Sequence, residues 1–430
     1  MAPSFNLMHS FAGRSPSRIA RTMNAPSSSK FPARHMAVAL AGFCAFINLY
    51  SPQSILPLLS GEFHASAAEV STIITVSTLA VAITAPFTGT VADVLGRKRV
   101  IVAAMFVLVV PTVMVGLSST LPTMIFWRAV QGLVLPPIFA VTVAYIGDEW
   151  SAREATTAAG IYSSASSLGG FSGRMISGIF ADLVGWRAGF FALAAIACAG
   201  ALGVAWLLPR ERRFVRSEGV IASSRQMLAH FRNGQLVATY AVGFGVLFNF
   251  ICTFTYVSFH LAAPPYNLSA TWLGAIFVVY LTGASMTPWI GWAISRFGRK
   301  QLTLSVMTVW AAGITLTLAP SLVLIIAGLA VSAACGLICQ AVSTGYVTTT
   351  AKAGRSSAVG LYVTGFYAGG SCGAALGGAA WTFGSWPACV ALVIAMLAIL
   401  AGIVFFGWTQ ARPSAPQPAL SAMIQGETEE

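Results

Sequence analysis

Two arginines, Arg128 and Arg174, stand inside long apolar stretches of this 430-residue chain. A cation within an apolar helix costs at least about 2.5–3.5 kcal/mol on insertion scales, so each must face the protein interior and find a partner there. Gln131 follows Arg128 by three residues, one helical turn on, and Asp182 follows Arg174 by eight. Such a cation can contact an anionic solute or join a charge relay. Arg174 can equally pair with Asp182 or bond main-chain carbonyls. A second group lies within eleven residues: Gly89, Asp93, Gly96, Arg97, Lys98 and Arg99, with Asp148 and Glu149 as acids that could answer Arg97. A third consists of uncharged polar residues amid aromatics: Asn48, Tyr50 and Gln53 in one segment, and Phe248, Asn249, Thr253 and Tyr256 in another. An aromatic wall with a few hydrogen-bonding groups suits a neutral or weakly polar organic solute, and ordinary helix packing is the alternative use of the same residues.

Other chemistry is missing. None of the seven cysteines forms a CxxC or Cys/His cluster, which disfavours disulfides, metal sites and nucleophilic catalysis. No Gly-x4-Gly-Lys-Ser/Thr loop occurs, so ATP is not expected to drive the protein directly.

The elements that hold these residues follow from composition. The chain is 57% apolar and only 8% charged, against about 25% charged in a soluble domain. A ruler of roughly 20 apolar residues yields twelve spans: Met36–Leu58, Val70–Val91, Val100–Leu117, Pro122–Ile146, Ala155–Ala181, Trp186–Leu208, Gln235–Leu261, Ala270–Ala293, Leu302–Leu318, Leu322–Val347, Ser356–Phe383 and Trp386–Trp408. If these alternate, all but three of the 24 Lys and Arg fall on one side, the exceptions being Arg128, Arg174 and Arg187. The positive-inside rule then makes both termini cytoplasmic. The net charge of +12 is a topology signal, and no nucleic-acid partner is expected. Residues 1–35 and 409–430 read as disordered cytoplasmic tails. An organelle transit peptide, or a true start at Met23 or Met36, remains open for the first segment.

The chain repeats itself. A shift of 200 lays Gly160, Tyr162, Gly169, Gly170, Gly173, Gly178 and Trp186 on Gly360, Tyr362, Gly369, Gly370, Gly373, Gly378 and Trp386. A shift of 202 lays Pro86, Gly89, Gly96, Arg97 and Lys98 on Pro288, Gly291, Gly298, Arg299 and Lys300. Ordered matches in two regions imply two related halves, 36–208 and 235–408, joined by a basic cytoplasmic linker, 209–234.

Gly89 to Arg99 resembles the signature loop of the major facilitator superfamily, and Gly291 to Lys300 resembles its weaker second copy, with Ser295 in the place of Asp93. Arg128-Ala129-Val130-Gln131-Gly132 is similar to the Arg-x-x-Gln-Gly motif of the same superfamily. Tyr50 to Leu59, and Gly169 to Gly178 with Asp182 and Trp186-Arg187, resemble its bacterial arabinose-efflux-permease-like, drug-exporting branch. Ser167-Leu168 stands where that branch's antiporter motif has a Gly-Pro pair. The resemblance implies an all-α integral membrane protein of twelve helices in two pseudo-symmetric six-helix bundles, rocking about a central site. It also implies that Asp93 and Arg97 hold the cytoplasmic side closed in one state, Asp93 facing the start of the eleventh span near Ser356 and Ser357, and Arg97 facing Asp148 or Glu149.

Together these readings lead to a monomeric secondary transporter of the bacterial inner membrane that exports a small organic solute, with no bound cofactor and the proton as candidate coupling ion. No acid or histidine lies mid-span, so a proton would have to be carried on the outer side by Asp182, Glu62 or His64, working with Arg128 or Arg174. Uptake of an anionic or sugar-like nutrient is the alternative within this class. A transporter-like membrane sensor is the alternative outside it, and a membrane enzyme fits least well.

Overall fold

The computed structural model describes residues 31–211, 229–286, 289–351 and 355–408. Among them every regular element is a helix. In hydrocarbon each backbone N–H and C=O must be satisfied within its own segment, which leaves the helix as the solution for a chain this apolar. The first half comprises α1 (Phe31–Leu49), a 3-10 turn (Ser51–Ser54), α2 (Leu56–Glu62), α3 (Ala67–Leu95), α4 (Arg97–Gly116), α5 (Leu121–Glu149), α6 (Ala152–Leu183) and α7 (Trp186–Leu207). The second comprises α8 (Gly234–Ala262), α9 (Ala270–Ile276), a 3-10 turn (Phe277–Val279), α10 (Tyr280–Met286), α11 (Ile290–Phe297), α12 (Arg299–Leu316), α13 (Leu322–Thr350) and α14 (Arg355–Gly407).

Seven of these helices are long and apolar enough by composition to cross a membrane. The other passes are assembled from pieces, α1 with α2 and α9 with α10 and α11, or come from the more polar α6 and α12. At 53 residues, α14 would run about 80 Å at 1.5 Å per residue, far beyond the roughly 30 Å hydrocarbon core. It is two passes, broken at Gly384 and Ser385, whose backbone is not helical. That gives twelve passes.

α1 begins at Phe31, before the expected start at Met36, and Arg34 already packs over the Trp150 ring at 4.3 Å and donates to the Glu149 carbonyl at 3.1 Å. α7 ends at Leu207 and α8 starts at Gly234. Residues 1–30, 409–430 and most of the expected linker (212–228) lie outside the described residues, as does Pro288 of the repeat.

Local signals fix several helix ends. Ser66 and Ser151 each accept from the backbone N–H three residues on, while Glu69 and Glu154 reach back to the cap, forming two capping boxes. Both carboxyls are held below the usual glutamate value, chiefly by these bonds from the Ser66 and Ser151 backbone and hydroxyl groups. Gly96 and Gly298, 202 positions apart, take φ of 92° and 77° at equivalent turns. Only glycine enters that region freely, so the repeat seen in sequence is a repeated bend.

The repeated glycines also set helix spacing. A Cβ on Gly169 or Gly173 of α6 would run into the carbonyls of Phe43 and Ile47 on α1. A Cβ on Gly369 or Gly373 of α14 would meet those of Phe244 and Phe248 on α8. The contact is one and the same, made once in each half, with backbones close enough that any side chain would force them apart.

α6 reveals how the halves meet. From Gly169 to Ala181 no residue is exposed, whereas most from Arg153 to Ser164 are. The covered part packs on α9: a Cβ on Gly178 would strike the Ala270 carbonyl, and one on Gly274 would sit 2.7 Å from the Arg174 carbonyl oxygen. α11, continuing the same pass toward the basic loops, has no buried residue. The halves therefore close on each other at the far face and part at the basic face that carries Arg97 to Arg99.

Candidate functional site

The site starts from the break in the first pass. α1 stops at Leu49, and Pro52 and Pro57, each lacking an N–H, open the short helices that follow. This leaves carbonyls at the end of α1 unpaired within the helix. Arg128 of α5 answers them. Its Nη1 donates to the Asn48 carbonyl at 3.0 Å and its Nη2 to that of Leu49 at 2.5 Å, while Nε reaches the Ile73 carbonyl of α3 at 3.4 Å. A cation is well matched to the negative end of a helix. Nη1 also donates to Gln131 Oε1 at 2.6 Å. Gln131 Nε2 donates to Thr112 Oγ1 at 2.8 Å, and Thr112 bonds Asn48 Oδ1 at 3.1 Å. Gly132 completes the motif, because a Cβ there would strike the Ser77 carbonyl of α3. Arg128, Gln131 and Gly132 thus cap α1, tie it to α4 and let α3 approach. Arg128 is fully buried, and the groups it donates to are all neutral.

Arg174 sits on the seam between the halves and is also buried. Its Nε and Nη2 both donate to Gln53 Oε1, at 2.8 and 2.5 Å, and Nη1 donates to the Gly170 carbonyl at 2.7 Å. Its guanidinium carbon lies 4.2 Å from the Phe277 ring centre, 5.0 Å from Tyr50 and 5.1 Å from Tyr280. Phe277 and Tyr280 belong to the other half. Gln53 Nε2 in turn donates to Thr255 of α8 at 3.0 Å. One buried amide therefore joins α6 to α8, and one guanidinium is enclosed by aromatic rings from both halves.

Asp182 does not pair with Arg174. Its Oδ1 accepts from Ala270 N–H at 3.2 Å and its Oδ2 from Thr271 N–H at 2.8 Å, so it caps the pass that starts the opposing half's share of the seam. Partial burial pushes its carboxyl up, but bonds from the Thr271 and Ser269 side chains and the Thr271 and Ala270 backbone outweigh this and hold it below the usual aspartate value. Nearby, Arg187 bonds Glu62 at 3.0 Å.

At the basic face Arg97 pairs with Asp148 at 2.5 Å, and with Asp93 one turn back at 3.7 Å. The backbone carbonyl of Glu149 accepts from Arg34. Gly89 is open on its surface, with nothing near the position of a Cβ. Near the start of the eleventh pass, Ser357 bonds His230 at 3.1 Å; the Ser356 side chain lies outside the described residues. In the second copy, Arg299 meets the Thr349 hydroxyl at 2.6 Å in place of an acid.

Of the seven residues expected to line a cavity, Tyr50, Gln53 and Tyr256 reach the seam, Tyr256 through a hydroxyl contact with Ser71 of α3. Asn48 belongs to the Arg128 network. Phe248 packs on Gly373, and Tyr256 donates to the Ala374 carbonyl at 2.6 Å and stacks near Trp381. Asn249 and Thr253 are buried with no partner among the described residues. Sequence reading missed Thr255, Phe277 and Tyr280, and also Phe139 of α5, whose ring lies 5.6 Å from that of Tyr367 on α14 across the seam. The Phe277/Tyr280 pair, one turn apart in a continuous apolar run, was the available signal, but only the 3-10 turn fixes which way it points.

The family model described as Major Facilitator Superfamily matches residues 38–286 and 260–425. The inner membrane transport protein YnfM of Escherichia coli K12 is 32% identical over 368 residues, covering 85% of this chain and 88% of that protein. An uncharacterized transporter of Buchnera aphidicola subsp. Schizaphis graminum is 27% identical over 381 residues, covering 88% and 92%. Among solved structures, a bacterial homologue of the human lysosomal transporter Spinster, inward-facing and occupied, aligns with TM-score 0.73 at 15% identity over 89% of this chain and 97% of that one. The nucleoside transporter NupG aligns with TM-score 0.72 at 13% identity, over 87% and 100%. The motifs, the paired halves and these matches coincide along the whole membrane portion: the chain belongs to the major facilitator superfamily of membrane transporters.

Proposed function

We propose that this transporter exports a small organic solute across the bacterial inner membrane by alternating access, in exchange for protons, working as a monomer with both termini and the basic face in the cytoplasm. The observation carrying this reading is the seam. The halves are locked at the far face by Asp182 on α9 and by Gln53 between Arg174 and Thr255, and they stand apart at the face with Arg97. With the basic face cytoplasmic, this is the inward-open state, in which an exporter loads. Closing Arg97, Asp148 and Asp93 against the opposite half while releasing the Asp182 cap would give the outward-open state.

Asp182 is held ionised, which makes it a poor proton carrier and moves that expectation to Glu62 and His64. The test is uptake into inverted membrane vesicles over a panel of drug-like and sugar-like compounds, with and without an acid interior. Accumulation that depends on the pH gradient and falls in Glu62→Gln or His64→Gln supports the reading. Concentration only in right-side-out vesicles would overturn export, and accumulation indifferent to pH would overturn proton exchange.

A further inference from the structure

The Arg174 enclosure has a charge but, among the described residues, no ion-pair partner. A guanidinium carries five N–H donors, and three bonds are made, all to neutral oxygens. Two of the three converge on a single atom, Gln53 Oε1, from Nε and Nη2. Those two donors form the fork that a carboxylate fills with both of its oxygens, a bidentate geometry that one amide oxygen cannot supply. Burying an ion costs several kcal/mol unless a partner offsets it, and among the described residues Arg174 meets only amide and carbonyl dipoles and aromatic faces. The nearest acid along α6, Asp182, is committed to the Ala270 and Thr271 N–H groups.

We propose that Arg174 is the anchor for the carboxylate of an aromatic organic acid, and that Gln53 is the neutral stand-in occupying that anchor in the unloaded transporter; this deepens the transport reading above and rests on it. The carboxylate takes Nε and Nη2, and the displaced Gln53 oxygen swings free. The planar body lies among Tyr50, Phe277 and Tyr280, which now face Arg174 at 4.2 to 5.1 Å. A phosphate dianion fits less well, because the second buried cation, Arg128, is spent on the α1 carbonyls. Since Gln53 also holds Thr255 of the other half, loading the anchor loosens one of the ties between the halves, alongside those of Asp182 and of Ser371 to the Thr75 carbonyl. Substrate binding and release of the outer seam then share a residue.

The test uses the purified full-length chain and three acid/ester pairs: benzoate, 2-naphthoate and indole-3-acetate with their methyl esters. Binding is followed by thermal shift and by quenching of tryptophan fluorescence. At least one acid is expected to bind while its ester does not. Gln53→Glu places a carboxylate permanently on the fork, so it should lose acid binding by about 10- to 100-fold while melting no lower than the parent. Arg174→Lys keeps the charge without the fork and should weaken the acid by a similar factor, which tests the idea even if Gln53→Glu fails to fold. Equal binding of acid and ester, binding of none of the acids, or unaltered acid affinity in either folded variant would overturn the proposal. Counterflow of the neutral compounds in proteoliposomes is run alongside. Neutral flux without acid binding would overturn the carboxylate anchor and leave transport standing, whereas acid binding with no flux of any compound would overturn transport and leave the anchor.

Discussion

Removing the Asp182 carboxylate should unlock the far face. In Asp182→Ala, the Ala270 and Thr271 N–H groups lose acceptors at 3.2 and 2.8 Å. A bond to a charged group contributes about 1.5–3 kcal/mol when buried, and a charge at a helix N-terminus about 0.3–1 kcal/mol at an exposed site. Asp182 is exposed, so water can replace part of both, and a net of about 1–2 kcal/mol is reasonable. That corresponds to roughly a 5- to 30-fold rise in the far-open population. Spin labels at Leu183 and Trp272, both well exposed beside the seam, on a background lacking the seven native cysteines, would report it as a longer distance. The pH dependence has a definite sign. A carboxyl held below its ordinary value of 3.8 contributes its full closing effect above that value and loses it only as pH falls through the lowered one. Wild type should therefore give the same distances at pH 7 and pH 5. An unchanged distribution in Asp182→Ala, or a wild-type shift between pH 7 and 5 that Asp182→Ala abolishes, would refute the reasoning.

Other outcomes follow from neighbouring contacts. Gly173→Ala puts a methyl into the Ile47 carbonyl and should cost about 1–3 kcal/mol, whereas Gly160→Ala, with nothing within 4 Å, should be neutral; thermal melting of the pair compares them. Arg128→Leu orphans acceptors at Asn48, Leu49 and Gln131, at about 1–3 kcal/mol each, and should fail by loss of folded protein rather than by altered solute preference. Asp148→Asn breaks a half-exposed pair with Arg97 and should lower stability by less than about 1 kcal/mol while slowing counterflow. A melting loss well above that would mean the pair is structural and not part of a cytoplasmic latch.

Much of the architecture was legible because hydrocarbon permits few solutions. Twelve passes, their paired halves and the break between the last two followed from apolar length, ordered glycines and the 200-residue shift. The end of the eleventh pass near Phe383 is where Gly384 and Ser385 leave helical geometry. That Arg128 and Arg174 must be buried with partners was also readable, since a lone cation in lipid is so costly. Their partners were not. Helical phase says which residues share a face, but not which neighbour that face meets. Asn249 and Thr253 accordingly read as cavity residues; they are buried, with no hydrogen-bond partner among the described residues.

Sequence alone determined the class of protein, its two-fold repeat and the confinement of its buried charge to the first half, because composition, period and charge are properties of the chain. Tertiary structure decided what the charges do. It turned Arg128 onto the open end of α1, a use that depends on two prolines breaking the first pass at that depth. It aimed Asp182 across the seam at α9, where sequence offered Arg174 as its partner. It enclosed Arg174 with Gln53 and with aromatic rings from a half of the chain about 100 residues away. Such meetings depend on where two separately folded bundles touch, and no local pattern encodes that.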